Sequence, residues 1–311
     1  MKKNLMILML IGFFMGDVVG VYGTIVNEVA TKDINNMDIE EIVTLLNSSD
    51  WRIQDVVIGK IEYGTPTLLN NEKIKLAVIR LLEEINANGE KLAAKWQEYY
   101  EKTGQEPPPD WNPEGVIRED GYGEFQLYVV RIVEGFKDER ALPALVGSIE
   151  CEGYRQIAEF GVIAVKPLLE RLEKTKNYSA KSVIILALGE IIKRGKVTTQ
   201  AEKGTPTTIT SFKSPTVSQI GSMKDVFIKS LNDSDSFTRM EAIKGLGILG
   251  DTSVIPLLKP IAKNDPRAWN TVSGDPSKFV YPVREEAQRV LKLLEEKKKE
   301  EKSKKQEVPN E

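Results

Sequence analysis

The sequence contains no histidine and a single cysteine. Without histidine the chain lacks the commonest metal ligand and general base of proteins, and it cannot form a Ser-His-Asp or Cys-His nucleophile arrangement. One cysteine, Cys151, excludes an intramolecular disulfide and a cysteine-based zinc site. We expect Cys151 to be partly buried as a small apolar residue, with pairing to another chain as the alternative. The sequence therefore predicts no catalytic residue, no cofactor and no bound metal.

Aromatic residues are also scarce, and the chain has no excess of basic residues. Aromatic residues make up 7% of the chain, and 43 basic residues stand against 46 acidic ones, a formal net charge of −3. Proteins that bind nucleic acid non-specifically usually carry a basic excess, so no nucleic-acid partner is expected. The hydrophobic fraction of 41% is enough for a core and suits helices packed through aliphatic side chains.

Apolar and turn residues recur along the chain in one order. The clearest copy runs from Val226 to Leu258, where an apolar helix is followed by the polar turn Asn232–Asp235. The basic residue Arg239 then opens a second helix that ends near Leu246-Gly247, before the next helix start around Pro256. Proline is tolerated there because the first N–H groups of a helix lack internal partners. A repeat of helix pairs predicts an α-solenoid, which usually presents binding surfaces.

This pattern resembles the HEAT-repeat (armadillo-like) family, specifically the bacterial variety whose repeats occur in phycobilisome lyases. The resemblance covers most of the chain from Met37 to Leu294 and is strongest from Phe136 to Leu258. It implies an all-α fold, a right-handed α-solenoid of about five or six HEAT-like helix pairs.

The resemblance also implies a ladder of ion pairs along one edge. In the family, an arginine at the start of the second helix often pairs with an aspartate from a turn. Arg52, Arg239 and Arg284 occupy that place, and Lys181 replaces the arginine in one pair. In the clearest copy, apolar residues at helical spacing are expected to face the core; they are Phe237, Met240, Ile243 and Leu246.

The first 23 residues have the features of a secretory signal peptide. Lys2 and Lys3 form a positive start, Leu5 to Phe14 is an apolar run, and Gly20 and Gly23 are small residues at plausible cleavage points. We expect residues 1–23 to be removed on export, which places the protein in the periplasm or outside the cell. An uncleaved anchor is the alternative, although the run is shorter than the ~20 apolar residues that a membrane span needs.

The rest of the chain divides by composition. The insertions between residues 103–121 and 264–282 interrupt a pair and are expected on one edge, whereas the Thr-rich insertion at 196–222 falls between pairs. The predicted domains are a linker at 24–36, the solenoid at 37–294 and a charged disordered tail at 295–311.

Large aromatic residues in the two same-edge insertions are the predicted partner-binding site. Such residues can anchor a partner, although each could instead pack locally over the helix layer. The candidates are Trp111, Trp269, Phe279 and Tyr281.

The function predicted from the sequence is an exported, non-catalytic scaffold that binds another protein or an envelope component. One alternative is a lyase-type enzyme, by resemblance to the HEAT-repeat bilin lyases. A second alternative is a nucleic-acid-binding protein of the same repeat type. That class needs a basic concave face, whereas lysine and glutamate are interleaved along this chain.

Overall fold

The computed structural model describes residues 26–108, 111–117, 121–149, 153–201, 213–266, 269–270 and 279–306. The predicted signal peptide, residues 1–23, and Cys151 lie outside these ranges. Within them the regular secondary structure is helical, apart from one antiparallel pairing of two-residue strands. None of the helices in these ranges combines the length and apolarity needed to cross a bilayer.

The chain divides into two compact units, residues 1–148 and 149–311. The helices of the first unit are α1 (Ile39–Leu46), α2 (Trp51–Glu62), α3 (Pro66–Leu69), α4 (Glu72–Thr103), α5 (Tyr122–Gly135) and α6 (Leu142–Gly147).

Helix pairs stack on one another in the first unit. Helix α1 pairs with α2 and α4 pairs with α5, while α1 also packs on α4 and α2 packs on α5. First helices therefore lie beside first helices, and second helices beside second helices, as in an α-solenoid. Ile42, Ile58, Leu82 and Val129, one from each of these four helices, are fully buried between them.

The second unit also consists of helix pairs, whose second helices stack on one another. Helix α8 packs on α9, α10 on α11 and α12 on α13, while α9, α11 and α13 contact each other in succession and α7 packs on α9. The predicted all-α fold of solenoid-type helix pairs is confirmed, and its right-handedness stays a prediction. The elements are α7 (Tyr154–Glu159), α8 (Val162–Lys174), α9 (Tyr178–Ala201), α10 (Val217–Ser230), α11 (Ser236–Leu249), α12 (Ile255–Asn264), β1 (Trp269–Asn270), β2 (Phe279–Val280) and α13 (Pro282–Gln306).

The polar turns begin the second helices by capping them. The Asp50 carboxylate accepts a hydrogen bond from the backbone N–H of Arg52, and that of Asp235 accepts one from Thr238. Each satisfies an N–H group that the first turn of a helix leaves without an internal partner. Helix α11 ends at Gly250, whose φ of 68° is the left-handed conformation that glycine adopts without strain.

Helical structure extends further than the composition predicted. Residues 26–31, expected in a linker, are helical, and Ile34–Asn36 forms a 3-10 turn. Helix α10 begins at Val217, inside the predicted Thr-rich insertion, because Thr216 and Gln219 form a capping box. Helix α13 continues through Gln306, into the segment predicted as a disordered tail.

The core face of α11 differs from the prediction. Ile243 and Leu246 are fully buried as expected, but Phe237 is 48% exposed and Met240 is only partly buried. Arg239 takes a buried position instead, at 7% exposure. The buried face is turned toward Arg239 because an ion pair, described below, satisfies its charge in the interior.

Candidate functional site: a charged cleft in the second unit

Arg239, at the start of α11, lies at the centre of a buried polar network. Its Nε and Nη2 atoms donate to the two carboxylate oxygens of Asp265, at 2.8 and 2.9 Å. Its Nη1 donates to the carbonyl oxygens of Asp233 and Ser234, at 2.8 and 3.1 Å. One guanidinium thus joins the turn before its own helix to the residue that follows α12.

Arg284 and Lys181 extend this network along the unit. Arg284 Nε donates to the carbonyl oxygen of Asp265 at 2.6 Å, and Lys181 Nζ lies 3.3 Å from an Asp233 carboxylate oxygen. Lys181, Arg239 and Arg284 open α9, α11 and α13, so each basic residue meets a turn of the same or the next pair. Their role in the described structure is to hold helix pairs together.

Arg52 is placed differently in the first unit. It bonds the Asp50 carboxylate within its own turn, at 2.9 Å from Nε, and its side chain is 51% exposed. Trp51 beside it packs on Tyr122 and Phe125 of α5, with ring centroids 5.7 and 5.9 Å away. Burial, with a smaller contribution from Glu84, raises the pKa of Tyr122 to about 12. In the first unit, aromatic packing thus joins the second helices of neighbouring helix pairs. Charged residues have that role in the second unit.

The predicted aromatic edge is divided between the two units. Trp111 lies in the first unit and packs on Tyr99 of α4, with ring centroids 5.7 Å apart. In the second unit, the backbones of Trp269 and Phe279 belong to the paired strands β1 and β2. Tyr281 carries the Arg284 guanidinium 3.9 Å above its ring. Trp111 and Tyr281 therefore have local packing roles, and the predicted common edge stays a prediction.

A cleft of about 480 Å³ opens in the second unit between α7, α9 and α11. Ile185, Leu186 and Ile248 give it an apolar base. Gly189 of α9 faces Gly245 of α11 there, and a Cβ atom added to Gly189 would lie 3.9 Å from Gly245 Cα. The absence of side chains at these two positions lets α9 and α11 approach closely.

The rim of the cleft carries a positive balance. Glu190 pairs with Lys193 and Arg194, at 3.5 and 3.1 Å, and Glu241 pairs with Lys244 at 2.8 Å. Four cationic and two anionic side chains line the cleft, which leaves a formal excess of two positive charges. The basic residues are Arg155, Lys193, Arg194 and Lys244.

Arg155 and Glu241 add polar groups at opposite walls. Arg155 Nε donates to the Tyr154 hydroxyl at 3.0 Å, and this bond raises the pKa of Arg155. Glu241 Oε2 is buried and accepts no hydrogen bond from the described residues. Buried acceptors normally have a hydrogen-bond partner, so this oxygen could accept a hydrogen bond from a bound molecule.

The side chains that line the cleft combine charge with an apolar base. Its lining, within the described residues, contains no serine, threonine or cysteine that could act as a nucleophile. Nor do the described residues bring three or more acidic or cysteine side chains together as metal ligands. Cationic side chains above an apolar base suit an extended segment that carries carboxylates and apolar side chains.

The sequence pattern did not predict this cleft. Its cations come from three helices, and nothing in their spacing along the chain shows that Arg155 lies opposite Lys244. The available signal was the pair of glycines, Gly189 and Gly245, which marks where two helices approach. The i, i+4 pair Glu190 and Arg194 marks the exposed face of α9 beside them.

One comparison with known proteins agrees with the helix pairs. Residues 207–271 match the family model for HEAT repeats. No curated protein matches the chain. Among solved structures, an engineered protein from the Northeast Structural Genomics Consortium matches over 84% of this chain and 98% of its own length, with 15% identity and a TM-score of 0.33.

The matched segment contains α10, α11 and α12, where the pairing of Arg239 with Asp265 occurs. These helices have the helix–turn–helix order from which the repeat was first inferred. The match to the family model shows HEAT repeats at residues 207–271, and the helix pairs around this segment stack in the same way.

Proposed function

We propose that the protein is an exported, non-catalytic scaffold that binds another protein or a component of the cell envelope. HEAT repeats suggest a protein-interaction role, and the cleft between α7, α9 and α11 is the observation that carries the proposal. It is open, has an apolar base and is rimmed by side chains from three helices. These are properties of a surface that binds a segment of another molecule.

The cleft is suited to an acidic segment of a partner protein. Its formal excess of two positive charges attracts carboxylates, while Ile185, Leu186 and Ile248 can bury one apolar side chain. Lys193 and Arg155 are exposed, so they can change partner without uncovering a buried charge.

The cellular location is tested by N-terminal sequencing of the protein purified from its native host. We expect the mature chain to begin near residue 24, because residues 1–23 have the charged start and apolar run of a signal peptide. A chain that begins at Met1 would contradict cleavage, and recovery from the cytoplasmic fraction would contradict export.

The binding site is tested by site-specific crosslinking in the full chain. A photoreactive phenylalanine replaces Leu186 in the cleft or, as the control, the exposed Leu257 of α12. We expect envelope extracts to yield a crosslinked protein from position 186 alone. Equal products from both positions would place the site elsewhere, and a product removed by nuclease would support the nucleic-acid alternative.

The captured protein is then purified and its affinity measured. Lys244→Glu reverses a charge in the cleft, and we expect binding to weaken about tenfold or more. Lys259→Glu is the matched control, because Lys259 lies on α12 outside the cleft and is 61% exposed. Equal affinities for the two variants would contradict the assignment of the cleft.

A further inference from the structure

Helix α4 of the first unit extends well beyond the core that it helps to form. It has 32 residues, about 48 Å of helix, yet Ile85 is its last buried residue. The part from Asn86 to Thr103, here called the α4 extension, is exposed over most of its surface. Most helical stability in proteins comes from tertiary packing, so a helix that continues this far out of the core requires another explanation.

The connection after α4 holds the extension along one side. Asn88 Nδ2 donates to the carbonyl oxygen of Ile117 at 3.0 Å, and the N–H of Ile117 donates to Asn88 Oδ1 at 2.9 Å. Further along, the ring of Trp111 packs on Tyr99. The extension is thus fixed at two points and leaves its other side uncovered by the described residues.

An aromatic stripe lies on the uncovered side. Trp96 and Tyr100 are 38% and 44% exposed, and their rings stack with centroids 5.4 Å apart and planes 5° from parallel. Ala93 is exposed, and a side chain at Gly89 would meet nothing within 4 Å. Helical periodicity places Gly89, Ala93, Trp96 and Tyr100 on one face, with small residues at one end and large rings at the other.

Two acidic residues lie nearer to the stripe than the lysines of the extension do. Glu90 and Glu101 project along its open border, by helical periodicity, and both are exposed. Lys95 and Lys102 lie on the opposite face, where both pair with Glu98, at 3.9 and 2.7 Å. The open border of the stripe therefore carries two glutamates, and Lys95 and Lys102 lie behind it.

We propose that the aromatic stripe is a docking surface for a basic amphipathic helix of another protein. Gly89 and Ala93 let a partner backbone approach closely, and Trp96 and Tyr100 provide the large anchors that dominate binding energy in interfaces. Helices commonly bind this way, with apolar residues at i, i+3, i+4 and i+7 laid on an apolar surface. Lysines flanking such a stripe meet Glu90 and Glu101. This surface is independent of the cleft in the second unit.

The test uses two synthetic helical peptides of about 18 residues with leucine at the apolar positions, one with lysine and one with glutamate elsewhere. Affinity for the full-length chain is measured by fluorescence anisotropy. We expect the lysine peptide to bind at least tenfold more tightly, and Trp96→Ala to weaken it about tenfold or more. Tyr128→Ala, an equally exposed tyrosine of α5 at 40%, is the control and should change nothing.

Two further variants separate the surface from general charge attraction. Glu101→Lys should weaken binding of the lysine peptide, whereas Glu98→Lys, on the opposite face, should not. Circular dichroism shows whether Trp96→Ala still folds. If it does not, Ala93→Arg provides the test, because its bulk and positive charge should block binding.

Three results would overturn the proposal. These are equal binding of both peptides, a lysine peptide that binds Trp96→Ala and Ala93→Arg as tightly as the unaltered chain, and self-association. In the last case sedimentation would show a dimer that Trp96→Ala dissociates, which would mean that a second copy covers the stripe. Variants in the cleft, such as Lys244→Glu, should leave peptide binding unchanged, so failure of either proposal is distinguishable from failure of the other.

Discussion

Arg239 and Asp265 form a buried two-point ion pair in which both side chains are nearly removed from solvent, at 9% and 5% exposure. Such a pair is stable because each nitrogen and oxygen also finds a hydrogen-bond partner, here including the carbonyl oxygens of Asp233 and Ser234. Loss of one partner leaves the other charge buried without compensation.

Asp265→Ala should therefore destabilise the second unit by about 3–5 kcal/mol, the usual cost of an uncompensated buried charge. Urea denaturation followed by circular dichroism measures the change. Arg52→Ala is the control, because Arg52 occupies the same place in its pair but is half exposed, and it should cost about 1 kcal/mol or less. Similar losses for the two variants would show that burial of the Arg239 pair does not matter.

Gly245→Ala should also destabilise the second unit. A Cβ atom there would lie 2.7 Å from two ring carbons of Phe227, a fully buried side chain between α10 and α11. Overpacking of this kind costs about 1–3 kcal/mol. Gly221→Ala in α10 is the opposite case, since nothing lies within 4 Å of its Cβ position, and it should stabilise by up to about 1 kcal/mol. Thermal unfolding of both variants measures the two changes in stability. A Gly245→Ala variant that is more stable than the unaltered chain would contradict the packing.

Asp138→Asn should reduce stability at neutral pH and lose its effect in acid. Hydrogen bonds from the Arg140 side chain, and then from its backbone N–H, lower the pKa of Asp138 to about 2. A lowered folded-state pKa adds stability above the unfolded value near ~4, and that stability is lost as pH falls toward 2. Since Arg140 is half exposed, we expect a difference of about 1 kcal/mol at pH 7. Unfolding measured from pH 7 to pH 2 should show the two proteins converging, and a gap that is constant with pH would contradict the ion pair.

Trp111→Ala should loosen the α4 extension without unfolding the first unit. Trp111 packs on Tyr99, and the core of α4 ends before this point, at Ile85. Hydrogen exchange should become faster at residues 92–103 and stay unchanged at residues 74–85. Uniform acceleration over both segments would show that Trp111 supports the whole unit instead.

The repeat pattern predicted the helix pairs because turn residues and apolar spacing act locally. Asp50 and Asp235 cap the helices that follow them, and the connections near 103–121 and 264–282 begin and end close to the expected residues. Phe237 was placed wrongly because periodicity assumes that apolar residues define the buried face. In α11 that face includes Arg239, whose partner Asp265 lies beyond the next helix.

The candidate surfaces were harder to predict, since they depend on contacts between distant residues. Trp111 was expected to be an anchor for a partner, yet its described ring contact is with Tyr99 of its own unit. Trp96 and Tyr100 belong to the long helix α4. Only the end of burial at Ile85 shows that they lie outside the core.

The order of the ion pairs gives the second unit a direction. Lys181 pairs with Asp233, and Arg239 pairs with Asp265. In both cases the cation of one helix pair is neutralised by an aspartate of the helix pair that follows it. During synthesis from the N-terminus, a pair that has just emerged holds its cation without a counter-charge until the next turn arrives. Shortening the chain from its C-terminal end should therefore weaken the last remaining pair, and the loss should pass backward through neighbours rather than stay at the cut.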